Sequence, residues 1–599
     1  MNPTIHQFWR LAVRKPVLAA IIAFWYATRR RVRARGQLAD ACAQLPFAYR
    51  HWVQQCADDD IAVLTAADWA ATTRTNLTVH FHVVASHDDS LLTAVSSLLR
   101  QSWPHWNLIV TTSSKEAPRV AELLPDDERI SLSQQDCDSR FAGITSALAA
   151  ARTTYLVPLP QDCYLPSNAL LAYAAHIATL AAQELPVIYA DQIETSGSDR
   201  NPIPWLKPDW DFDMFLAQDY LSDSCALPVT AALASGCDHV PGDCAAVYSM
   251  LLNLAKLPQL RFVHLHRIAA ATPPAYWKRS CPERLAVLQQ LFDTTNGTKT
   301  VRGPFGSTVV NWPLPAKLPL VTIIIPTRDR VDLLQPCVEG VLEQTKYPNF
   351  EIIIADNGSV EPATKVFLDG LAEDRRVRVV SWPYAYNYSS INNFAVQDAQ
   401  GEFLCLLNND IEIIDGEWLS EMMRHACRDG VGAVGARLLY ADGSIQHAGV
   451  AIGIGNAAGH AHRGLPKNEP GYFAHSLIAR GATAVTAACL VVSRKWFDAV
   501  GGLDEKCLGI AYNDVDFCLK LRRAGARNMY VPTAVLVHHE SKSRGLDMAP
   551  EHLERYMAEL SILQERWDTT TFCDPSHHPE LDRSSEIYKV AYKRRGARL

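Results

Sequence analysis

The chain has 599 residues, 48% of them apolar and 20% charged, with a formal charge of −7. That length holds two to four domains. The apolar share excludes a disordered chain, and the acidic balance excludes the general basic footprint of a nucleic-acid binder. The 15 cysteines form no CxxC pair and no obvious framework. With no secretory signal in view, they read as reduced thiols of a cytoplasmic protein.

The N-terminus departs from the overall charge. Residues 1–36 hold Arg10, Arg14, Lys15, Arg29, Arg30, Arg31, Arg33 and Arg35 and no acid. Between Lys15 and Arg29 the apolar run Pro16 to Tyr26 falls short of the roughly 20 residues a membrane span needs. It also lacks a convincing small-residue cleavage site. Two readings stand for residues 7–36: a helix lying on an anionic membrane surface, or one packed on the next domain. Residues 1–75 are therefore assigned to a helical, basic segment.

Thr78 to Ala85 predicts a strand, Leu91 to Leu99 a helix and Trp106 to Thr111 the next strand. The alternation continues to about residue 160, as in a mostly parallel α/β sheet. The order then recurs. SSLLRQSWPHWNLIVTTSS at 96–114 echoes GVLEQTKYPNFEIIIADNGS at 340–359, and residues 151–162 echo 399–410. An interval this long means a duplicated domain, since solenoid repeats run to roughly 20–50 residues. The expected organisation is one α/β domain at 76–300, a proline-rich link at 301–320, a second domain at 321–548, and a helix with a basic, loose tail at 549–599.

In the second domain three predicted strands end in polar residues: Thr327 and Arg328; Asp356 and Asn357; and Asn408, Asn409 and Asp410. Ligands of open parallel sheets bind beyond the carboxyl ends of the strands. A carboxylate there suits a hard divalent cation that shares its shell with phosphate oxygens. Asp356 suits a ribose hydroxyl or a base N–H, or else an Asx turn with Asn357-Gly358. His447, His460 and His462 have no cysteine spacing that favours zinc; lining a sugar or acceptor pocket is the better reading. A nucleotidyltransferase would need a glycine-rich loop after the first strand, and Pro326-Thr327-Arg328-Asp329-Arg330 is not one.

These segments, with Asn387 to Asn393, Gly501 to Glu505, Asn513 to Leu519 and His538 to Gly545, resemble the family 2 glycosyltransferases from residue 321 to about 575. Tandem-domain, rhamnosyltransferase-like enzymes of bacterial surface polysaccharides look most similar. The resemblance implies two tandem GT-A (Rossmann-like) domains with mixed, mostly parallel sheets. It implies a nucleotide-diphosphate sugar donor, Mn2+ or Mg2+, and a glycan or lipid-linked oligosaccharide acceptor at the cytoplasmic face of the membrane. By position it makes Asp514 the general base and Asp410 and His538 the metal ligands. It makes Thr327, Arg328, Asp356, Asn357, Asn392, Asn408, Asn409 and Arg544 donor-binding, and assigns His447, His460, Thr486, Trp496, Asp504 and Asp516 to the sugar or acceptor pocket.

In the first copy Thr112 stands for Asp356, Pro160-Gln161-Asp162 for 408–410, and Val247 or a near neighbour for Asp514. Valine cannot accept a proton, so a non-catalytic first domain is expected. The competing readings are a dual-active enzyme and a glycan- or nucleotide-sugar-binding protein without turnover.

Overall fold

The structure is a computed structural model. It describes residues 75–591 apart from 85–87, 182–184, 196–201, 236–242, 280, 294–296, 372 and 540–550. Of the first 74 residues it describes chiefly 3–27. Arg544 and the terminal residues 592–599 lie outside the described residues.

The first domain contains β1 (Leu77–His82), β2 (Trp106–Thr111), β3 (Ile130–Leu132), β4 (Tyr155–Leu159), β5 (Val187–Glu194), β6 (Ile203–Trp205), β7 (Cys225–Pro228) and β8 (Phe262–Thr272). They form one sheet in the order β3-β2-β1-β4-β7-β5-β6, with β8 also on β5. A hairpin follows, β9 (Lys299–Arg302) with β10 (Thr308–Asn311), so the proline-rich connection proper begins after Asn311.

The second domain begins with β11 (Val321–Thr327), β12 (Phe350–Asp356), β13 (Val377–Ser381), β14 (Phe403–Leu407), β15 (Ile411–Ile413) and β16 (Val431–Leu439). It continues through β17 (Ile445–His447), β18 (Val450–Ile452), β19 (Ala458–His460), β20 (Arg480–Ala482), β21 (Cys489–Ser493) and β22 (Arg527–His538). The main sheet runs β13-β12-β11-β14-β21-β16-β22-β15. β11, β12, β13 and β14 pair in parallel, and β21 runs against β14 and β16. Strands such as Val321-Thr322-Ile323-Ile324-Ile325 are buried along their whole length, because helices cover both faces of the sheet.

The two sheets share one strand order: β3-β2-β1-β4-β7-β5-β8 matches β13-β12-β11-β14-β21-β16-β22. Register carries the match to single residues. Leu77 and Val321 pair with Trp106 and Phe350, and Thr78 and Thr322 pair with Leu156 and Leu404. Thr112 therefore falls where Asp356 does, and Asp162 where Asp410 does. Both domains share one mixed, mostly parallel α/β architecture.

Two sequence expectations need correction. Cys244 and Cys281, 37 residues apart, form a disulfide, because the fold brings together the starts of helices Ala246–Ala255 and Pro282–Asp293; the spacing alone gave no sign of it. The tail is also packed rather than loose through residue 591. Leu581, Tyr588 and Ala591 are buried, and the backbone N–H of Ala591 donates to the Glu580 carbonyl at 2.8 Å. Asp574 accepts hydrogen bonds from the Ile452 N–H and the Thr483 hydroxyl.

At the N-terminus, helices Pro3–Arg14 and Pro16–Ala27 bury Leu11, Ala19 and Ile22 together. Trp9, Val13, Val17 and Phe24 are each more than half exposed. No helix among the described residues is long and apolar enough to cross a membrane.

Candidate active site

The carboxyl ends of β11 and β14, the residues entering β21 and the end of β22 meet at one rim of the second sheet. A cavity of about 410 Å3 there is lined by Asn408, Asn409, Asp410, Thr486, Asp514 and His538, among others.

Asp410 is 4% exposed. It is placed by the turn from β14 to β15 and by the His539 N–H donating to its carbonyl at 3.0 Å. His538 ends β22, opposite Ile411. Its Nδ1 lies 2.6 Å from Gln446 Oε1. A carbonyl oxygen can only accept, so Nδ1 carries the proton and Nε2 presents a lone pair. That lone pair faces Asp410 Oδ1 at 3.1 Å, and Asn408 Nδ2 stands 3.3 Å from it. Asp410 Oδ1 is buried and has no hydrogen-bond donor among the described residues. Two acceptors turned towards each other form a natural place for a cation. Burial pushes the Asp410 carboxyl up; a fully protonated His538 ring beside it outweighs this and holds it below its ordinary range, and a cation at the same place would act in the same direction.

Asp514 is the second residue of helix Asn513–Arg523, where the helix dipole favours an anion. Its carboxylate accepts from the Ala487 N–H at 3.1 Å and the Val515 N–H at 2.8 Å. Asn513 is buried and spends its amide on the Ile510 carbonyl, so the residue before Asp514 adds no like charge. Residues 510–511 are held in turn by Glu559, whose two oxygens each accept a backbone N–H at 2.9 Å.

Residues 322–500 match the model of glycosyl transferase family 2. The second domain is a family 2 glycosyltransferase domain. The chain is 38% identical over 512 residues to the uncharacterized protein y4gI of Sinorhizobium fredii, covering 82% of this chain and 56% of that protein. It is 30% identical over 565 residues to the O-antigen biosynthesis protein RfbC of Myxococcus xanthus, covering 88% and 43%. An N-acetylglucosaminyl-diphospho-decaprenol L-rhamnosyltransferase of Mycobacterium tuberculosis is 34% identical over 82 residues, 14% of this chain and 26% of that enzyme. The chain thus spans about half the length of the two proteins it matches throughout.

The glycosyltransferase domain uses several of the sequence candidates differently from expectation. Thr327 is buried and accepts from Asn409 Nδ2 at 3.0 Å, tying the acidic turn to the first strand. Arg328 is exposed at the strand end. Asp356 makes the Asx-type turn: its Oδ1 accepts from the Ser359 N–H at 3.0 Å and hydroxyl at 2.5 Å. Asn357 and Asn392 face inward, against their expected contact with the donor. Asn357 donates to the carbonyls of Trp382 and Tyr384, and Asn392 to that of Tyr388.

Four pocket candidates also prove structural. Asp504 and Asp516 both accept from Arg566 at 2.8 Å, and Asp516 takes the Trp567 indole N–H as well; they anchor helix Leu553–Trp567. Trp496 packs on the apolar core. His447 is fully buried behind the cavity, 3.2 Å from His460; burial holds its pKa well below the ordinary value. His460 does line the cavity.

The sequence reading missed Gln446, Tyr386, Tyr388, Tyr512, Tyr556 and Glu586, all cavity residues. Tyr556 comes from the C-terminal helix and bonds the Tyr512 hydroxyl at 2.6 Å. Glu586 comes from the tail and accepts from the His460 N–H at 3.0 Å. Neither lies near the other site residues in sequence, so no local motif points to them. Gln446 is different: it was in view beside His447, and its signal is its polarity on a short buried strand.

Proposed function

We propose that the protein transfers a sugar from a nucleotide diphosphate to a hydroxyl of a surface-polysaccharide or lipid-linked acceptor, with inversion, in the second domain alone. One observation carries this reading: Asp410, His538 and Asp514 line a single cavity, with the His538 lone pair turned to the Asp410 carboxylate. The donor set, one carboxylate oxygen and one imidazole nitrogen with phosphate oxygens to complete the shell, suits Mn2+ and admits Mg2+. When bound, the cation neutralises charge on the departing diphosphate.

The other steps belong to this chain's side chains. Asp514 accepts the proton of the acceptor hydroxyl as that oxygen bonds the anomeric carbon and the bond from that carbon to the diphosphate oxygen breaks. The Ala487 and Val515 N–H groups hold the carboxylate in place for this. Asp356 keeps its second oxygen for the nucleoside. The aromatic wall of Tyr386, Tyr388, Tyr512 and Tyr556 suits the sugar faces of donor and acceptor.

The first domain serves packing or acceptor binding. Val247, second residue of the helix before β8 as Asp514 is before β22, is 1% exposed, and Asp162 accepts from Ser90. The apolar, basic N-terminal helices support contact with an anionic membrane surface, where a lipid-linked acceptor would reside.

The test is a scan of nucleotide-diphosphate sugars for donor hydrolysis with and without Mn2+. The rhamnosyltransferase similarity makes dTDP-rhamnose the first choice. Metal-dependent turnover of one donor is expected; absence of turnover with every donor, despite tight binding, would favour a glycan- or nucleotide-sugar-binding protein.

A further inference from the structure

Outside the lining of the transferase cavity, β5, β8 and the loop after β6 of the first domain, with the C-terminal tail, bring together Asp191, Asp209, His264, His266 and His578. One ring nitrogen from each of the three histidines lies within 4.8 Å of the others. Asp191 sits at the centre, 2% exposed, with Oδ1 2.9 Å from His264 Nε2 and Oδ2 3.1 Å from His578 Nε2.

The hydrogen bonds sort these rings by role. The Glu580 N–H donates to His578 Nδ1 at 3.0 Å. That nitrogen is therefore the acceptor, and His578 Nε2–H donates to Asp191. His578 is then saturated and holds the tail in place. His264 differs: its Nε2–H is fixed on Asp191, and its Nδ1 is buried with no hydrogen-bond partner among the described residues. This Nδ1 faces Asp209 Oδ1 at 3.6 Å, and His266 Nε2 faces the same oxygen at 3.5 Å. Both distances are long for a hydrogen bond. Both match the separation of about 3.4 Å between ligands of a tetrahedral zinc whose bonds are about 2.0–2.1 Å.

A metal-bound histidine commonly gives its other N–H to a carboxylate, which fixes ring orientation and raises basicity; Asp191 stands in that place behind His264. Two carboxylates, Asp191 and Asp209, lie against the His264 ring.

We propose that His264 Nδ1, His266 Nε2 and Asp209 Oδ1 bind one divalent transition-metal ion, zinc by ligand type, which clasps the C-terminal segment to the first domain. Two imidazoles and a carboxylate suit zinc, and the half-exposed Asp209 leaves the fourth position to water. The clasp reaches the tail twice: the Asp209 N–H donates to the Pro575 carbonyl at 2.8 Å, and Asp191 holds His578. The same tail carries Glu586 to the transferase cavity, so the clasp would couple the two domains mechanically. It stands independently of the proposed transfer chemistry.

The test uses the full chain, produced with zinc and then dialysed against metal-free buffer. Bound zinc is counted by mass spectrometry, and affinity is measured by competition with a chromogenic chelator. His266→Ala and Asp209→Asn remove partly exposed ligands, and their fold is checked by circular dichroism. One zinc per chain is expected, with affinity falling by about 100-fold or more in either variant and unchanged in Asp410→Ala. Stripping the zinc should speed amide exchange in residues 574–591. Wild type holding no more zinc than His266→Ala would overturn the proposal. So would zinc lost in Asp410→Ala and kept in the two clasp variants.

Discussion

The two sheets follow one strand order, yet their rims differ in content. At the second rim, charge and lone pairs face a cavity: Asp410, His538 and Asp514. At the first, the matching positions are apolar or tied up in local hydrogen bonds. Val247 is sealed in the core, Asp162 is tied to Ser90, and His80 and His82 both contact the Thr111 hydroxyl. The backbone between β1 and helix Arg140–Ala150 closes further because Gly143 has no side chain; a Cβ there would collide with Thr111 Oγ1. A sheet of this topology thus supplies the place for chemistry, and a handful of side chains decides whether chemistry occurs there.

Several substitutions and a pH dependence sharpen that contrast. The largest effect is expected from Asp410→Asn, which keeps the shape and removes the charge facing His538. Metal-dependent donor turnover should fall by about 1,000-fold, whereas Asp162→Asn in the first domain should leave it within about two-fold; initial rates across Mn2+ concentrations measure both. Val247→Asp, which puts an acid at the first domain's counterpart of Asp514, should give no new activity. It should instead cost about 3 kcal/mol or more, because the carboxylate is buried without a partner; urea melts measure that cost. Gln446→Leu frees the His538 tautomer. It should weaken Mn2+ affinity by about 10–100-fold while donor binding without metal persists, as a metal titration of activity and binding would show.

The smallest effect is a pH slope. Burial holds His447, His462 and His475 below the ordinary histidine pKa of 6.5. They stay neutral in the fold and gain a proton on unfolding, so stability should fall as pH drops below 6.5. Each group contributes up to about 1.4 kcal/mol per pH unit until its folded-state pKa is reached. Chemical denaturation from pH 7 to 4.5 checks this, and a His462→Phe variant should flatten the slope.

Much of this contrast was legible in the sequence. The duplication showed as two matching strand–turn stretches, and strand register later placed Thr112 and Asp162 opposite Asp356 and Asp410. Position along the chain brought out Asp410, Asp514 and His538, which line one cavity, because residues at the carboxyl ends of strands and at a helix start are placed by the elements themselves. Asn357, Asn392, Asp504 and Asp516 were misread for one physical reason. Their side chains satisfy buried backbone carbonyls or Arg566, and a sequence does not tell an amide turned inward from one turned to a ligand. Tyr556, Glu559, Glu586 and the Asp191–His578 contact depend on a C-terminal segment folding back across both domains, which no local periodicity encodes.

The most direct test of a single working pocket is Asp514→Asn, read by donor titration and by transfer rate on the same preparation. The account predicts donor affinity within about three-fold of wild type and transfer slowed by about 100- to 10,000-fold. Transfer at the wild-type rate in this variant would contradict it, since proton acceptance would then lie outside the second domain's cavity.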